Sequence, residues 1–178
     1  MDESLLAYIQ KLEVIFFFSG YPLLYALIVS IAGNKLPGKN LPATLARLLP
    51  YSYALTGTAY LGLLLRNLYY QSPEPVTEGI LQSPLLVIWG LLSLLCWIPA
   101  IAKRKIGSLL HSMFFLLLII KDMFLNKPGN QQPVNDHLHN DMMVYTGSLI
   151  LNIVSLSLTY ITYLLFLRLL SRKSTQRS

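Results

Sequence analysis

His111 is the residue of this 178-residue chain whose type and setting most suggest chemistry. It lies in the uncharged run from Ile106 to Ile120, with Ser108 one helical turn before it. An imidazole exchanges protons near neutral pH, and an ionisable group inside an apolar span is a functional candidate by default. Asp122 follows eleven residues later, which returns to the same helical face about 16 Å away. His111 and Asp122 together would form a proton-linked site. A neutral histidine hydrogen-bonded to a neighbouring helix is the simpler reading, because this sequence offers no second ionisable group at the same depth.

The most ordered polar pattern is Ser148, Asn152, Ser155, Thr159 and Thr162, at spacings of four, three, four and three. Such spacing is a heptad seam on one helical face. The primary amide of Asn152 needs a partner in hydrocarbon. The seam therefore reads either as a helix–helix contact or as the lining of an oligomer axis or water-filled path. A second face, Ala54, Thr58 and Gly62 at intervals of four with Gly57 beside it, permits close backbone approach.

Other candidates are weaker. His137 and His139, flanked by Asp136 and Asp141, would point the same way on an extended strand, as a metal site there would require. Structural zinc sites want better-defined spacing, so a solvated outer loop without metal is expected. Cys96 stands alone in an apolar run and reads as a small buried hydrophobe. No Gly-x-Ser-x-Gly, His-Glu-x-x-His, phosphate-binding glycine loop or Cys-x-x-Cys occurs, and one intramembrane histidine is a poor start for a haem site. Neither enzymatic activity nor a cofactor is expected.

The elements that would position these residues follow from composition. Hydrophobic residues make up 54% of the chain and charged residues 12%, with a mean hydropathy of +0.53. A soluble domain carries about 25% charge. These values exclude an ordinary soluble domain and a disordered chain, and a single cysteine excludes a disulfide scaffold. An all-α, polytopic membrane protein remains. A bilayer core about 30 Å thick needs about 20 apolar residues, and the uncharged runs predict five spans in one bundle covering 1–178. They lie at about 14–33, 48–65, 82–102, 106–125 and 142–167. The fourth is the shortest, and reaches spanning length only by running past Lys121 and Asp122 to Leu125.

Charge sets the orientation. With five crossings, ten of the fourteen Lys and Arg residues and none of the eight acids fall on one side. The positive-inside bias makes that side cytoplasmic, with the N-terminus outside and the C-terminus inside. The net charge of +6 then reflects topology, not nucleic-acid binding. It also predicts attraction of anionic lipid headgroups to the basic cytoplasmic loops and to the tail carrying Arg168, Arg172, Lys173 and Arg177. The first residues lack the basic region of a cleaved signal. No Asn-x-Ser/Thr sequon occurs, which leans towards a bacterial cytoplasmic (inner) membrane. Pro-x-x-Tyr-Ala-Leu occurs at Pro22 and at Pro50. The first proline is expected mid-span and the second in the first turn of a span, so the repeat reads as chance.

These features predict a non-enzymatic membrane subunit acting within the bilayer. It would assemble with itself or with a membrane-protein partner, as a pore, channel, effector or scaffold. A small proton-linked carrier using His111 and Asp122 is the alternative.

Overall fold

The computed structural model describes residues 14–33, 41–71, 84–104, 106–125 and 134–175. Among these the chain is helical, with no strand. Helices suit the sequence because each backbone group is satisfied within its own segment, as hydrocarbon requires. Prolines decide where they break.

Helix α1 (Tyr21–Gly33) is preceded by helical residues 14–18 and a turn at Ser19–Gly20. Pro22 has no N–H to return to the Phe18 carbonyl, which weakens the helix at this point, and the turn at Ser19–Gly20 falls just before it. The proline sits in the first turn of α1, where that loss costs nothing. Helix α2 (Leu41–Gln71) begins at Pro42's turn, earlier than the expected start at 48, and places the buried Pro50 in its interior. Pro22 thus stays midway along the apolar stretch Val14–Gly33, as expected, while Pro50 lies in the helix interior and not in a first turn.

Helix α3 (Pro84–Leu94) ends in a 3₁₀ turn, Leu95–Trp97, before the short α4 (Pro99–Ala102). The expected continuous helix over 82–102 does not form. Proline bars the residue before it from the helical region, and Ile98 is extended, at φ −74° and ψ 120°.

Helix α5 covers Ile106–Leu125. Helix α6 covers Val134–Thr175, 42 residues, or about 63 Å. It starts just after Pro133 and well before the expected span at 142, because no helix breaker follows that proline. Residues 136–141, expected as a loop, therefore have helical backbone. Positions 137 and 139, two apart on a helix, do not share a face, which removes the strand geometry proposed for a metal. No metal-binding cluster occurs among the described residues.

Three stretches are long and apolar enough to cross a membrane: Val14–Gly33, Leu41–Asn67 and Met142–Arg172. Val87–Trp97 and Ile106–Leu117 are shorter apolar helices.

Side-chain registers give the helix directions. Tyr21 meets Tyr53 at 4.5 Å between ring centroids while Phe17 meets Tyr60 at 5.5 Å, so α1 and α2 are antiparallel. Trp97 lies by Tyr51, and Gly90 abuts Leu61, so the α3 segment runs against α2. Tyr21 bonds Ser108 while Phe18 stacks on Phe115, so α5 opposes α1. Residues 148–149 of α6 meet Gly20, beside mid-α2, while residues 159–166 line a groove with the first turns of α2, so α6 opposes α2 and runs with α1. Five helices thus alternate in direction. The core where α1, α2 and α5 meet is aromatic, built from Phe17, Phe18, Tyr21, Tyr53, Tyr60 and Phe115. Each favourable ring pair contributes about 0.5–1.5 kcal/mol beyond its buried area.

Candidate functional site

Two polar centres lie inside the bundle. The first is the joint between the break before α1 and the seam of α6. Irregular backbone at membrane depth must find partners within the protein. Ser148 Oγ accepts a hydrogen bond from the Gly20 N–H at 2.8 Å, and Asn152 Nδ2 donates to the Phe17 carbonyl at 3.0 Å. The same amide donates to the Ser148 carbonyl at 2.8 Å. Glycine is required at position 20, since a Cβ there would lie 2.6 Å from Leu149 Cα. Ser19 Oγ, in the turn itself, is buried without a hydrogen-bond partner.

The second centre surrounds His111, positioned by α5. The Tyr53 hydroxyl, from α2, hydrogen-bonds His111 Nδ1. Trp89, from α3, stacks on the imidazole with centroids 4.9 Å apart and planes 29° apart. Phe18 and Phe115 present ring edges at 5.8 and 6.3 Å. One turn away the Tyr21 and Ser108 hydroxyls are 2.9 Å apart. The Trp89 backbone approaches the imidazole, yet Nε2 has no hydrogen bond of acceptable geometry, and neither does Trp89 Nε1.

This arrangement leaves His111 with chemistry to spare. If Nδ1 accepts from Tyr53, Nε2 carries a hydrogen for which the Trp89 backbone is the nearest partner among the described residues. If Nδ1 donates, Nε2 holds an unused lone pair.

The expected residues fall out as follows. Ser148, Asn152 and Ser155 are buried, Thr159 is half-buried and Thr162 is exposed. On α2, Ala54 is buried, Thr58 accepts a hydrogen bond from Trp97 Nε1 at 3.1 Å, and Gly62 faces open space. The close approach runs instead through Gly57, where a Cβ would come within 2.6 Å of Ser93 Cβ. Cys96 is buried and free. Position 122 has helical backbone, and its side chain lies outside the described residues, as do those of Asp136, His137, His139, Asp141 and Lys173. Arg177 is likewise outside them.

Tyr53, Tyr21 and Trp89 escape the sequence reading because their partners lie far along the chain. One signal did mark Tyr53: it is the tyrosine of the second Pro-x-x-Tyr-Ala-Leu segment.

No family model, curated protein or solved structure matches this chain. Its function therefore has to be argued from its own geometry.

Proposed function

We propose that this chain is a non-enzymatic integral membrane subunit that crosses the bilayer five times and assembles through α6 with a copy of itself or another membrane protein. One observation carries the reading. Only 17% of the apolar stretch in α6 is buried within the molecule, against 56% and 61% for the other two long stretches. Ser148, Asn152 and Ser155 of the seam face inward, while Ile150, Ile153, Val154, Leu158 and Ile161 form an exposed apolar outer face. The alternation of five helix directions supports five crossings, and the positive-inside bias of the basic segments supports an N-terminus outside and a C-terminus inside. The exposed Arg168 and Arg172 suit an inner-membrane surface rich in anionic lipid. Because Ser148 and Asn152 are engaged within one molecule, support of a partner fits better than a conduit lined by this seam.

Disulfide trapping tests the assembly. With Cys96 replaced by Ser, Ile153→Cys should form a crosslinked dimer in native membranes, or a crosslink to a partner, while the buried Ser155→Cys should not. A chain that stays uncrosslinked and monomeric overturns the reading.

The unpartnered His111 Nε2 supports a second reading, a carrier moving protons with a solute, in which Asp122 is the second proton site. Proton-coupled flux in vesicles should be lost in His111→Gln. Flux that survives the substitution removes this reading.

A further inference from the structure

A groove of about 1150 Å³ lies where the first turns of α2, the segment from Trp97 through α4 to Lys103, and the second half of α6 come together. Its size matches the upper end of small-molecule pockets, which run to about 1,000 Å³. Arg47 and Lys103 stand in its wall, both exposed, and no carboxylate is among the described residues that line it. Tyr51 and Trp97 lie beside the two cations with ring centroids 6.4 Å apart. Such aromatic rings sit at the headgroup level of a membrane. Leu48, Leu55 and Phe166 supply apolar wall.

Cations and interfacial aromatics above an apolar channel have the chemistry of an anionic amphiphile. A free inorganic anion would have no use for the apolar wall, and a neutral lipid none for two uncompensated cations. We propose that this groove binds one anionic phospholipid, its phosphate held by Arg47 and Lys103 and an acyl chain laid along Leu48, Leu55 and Phe166. Basic pockets between helices near a membrane surface recognise phosphate-bearing headgroups in this way. The site goes beyond the assembly proposed above and rests only on the chain lying in a bilayer.

Trp97 reports on the groove directly. In a Trp89→Phe variant it is the sole tryptophan of the chain, and brominated acyl chains quench tryptophan on contact. In vesicles, brominated phosphatidylglycerol should quench Trp97 at lower mole fraction than brominated phosphatidylcholine. Arg47→Gln and Lys103→Gln should each reduce that preference about fivefold, the factor expected for one cation near anionic lipid. Arg66→Gln, at the other end of α2, should leave it intact.

Equal quenching by both lipids, unaffected by the two substitutions, overturns the site while leaving the membrane reading in place. Loss of the preference when inorganic phosphate is added would show an anion site without lipid, and also overturns it. Absence of quenching by either lipid, with Trp97 shielded by a second copy in crosslinking, assigns the groove to an interface instead. If neither lipid quenches and the protein floats free of vesicles, the membrane reading itself fails.

Discussion

The two halves of α6 carry the same kind of residue on the same seam and meet opposite surroundings. In the first half, Ser148 and Asn152 reach across to the backbone of Gly20 and Phe17. In the second half, Thr159 and Thr162 turn back to the carbonyls of Ser155 and Leu158 in their own helix, at 2.7 and 2.9 Å. One half ties two helices together; the other satisfies only itself and opens onto the groove. A polar stripe in a membrane helix therefore does not reveal its own role. What decides the role is whether the neighbouring helix has broken backbone to offer.

The largest effect should come from removing the space at the joint. Gly20→Ala would press a methyl into the backbone of α6, which cannot give way as a side-chain tip would. Destabilisation of about 1–3 kcal/mol is expected, read as a lower SDS fraction at the unfolding midpoint in mixed micelles. Wild-type stability in this variant would mean that the two helices do not approach so closely. Asn152→Leu should cost less, about 1–2 kcal/mol, because it leaves the buried Phe17 carbonyl without that donor while membrane hydrogen bonds are individually modest.

Smaller still is Tyr53→Phe, which keeps the ring packing and removes one hydrogen bond to His111. A loss of about 1 kcal/mol is expected. Thr162→Val should do least, within about 0.5 kcal/mol. A Thr162 effect as large as that of Asn152 would erase the distinction between the two halves of α6.

The long apolar helices and the α6 seam were legible from the order of residues, because lipid exposure and helical period write themselves into it. The start of α6 at Val134 was not, since polar residues past Pro133 read equally well as a loop or as helix rising from the membrane. The break at Leu95–Trp97 was legible in principle: Pro99 stands inside the third run, and proline restricts the residue before it. The partner of Asn152 was hidden for a different reason. It is a main-chain carbonyl, and main-chain groups have no residue type to search for. His111 was found as a single residue, but its partner Tyr53 lies 58 positions away, and its stacking partner Trp89 is on another helix. Only the packing of three helices brings them together.

Helix α6 has one further consequence. From Val134 to Thr175 it contains no proline, and at about 63 Å it is twice the thickness of the hydrocarbon it would cross. In the bilayer proposed above it would extend beyond the hydrocarbon at both ends without a joint. Its neighbours are jointed, at Ser19–Gly20 and at Leu95–Ile98. Any rotation of this helix would have to break the bonds that Ser148 and Asn152 make to Gly20 and Phe17.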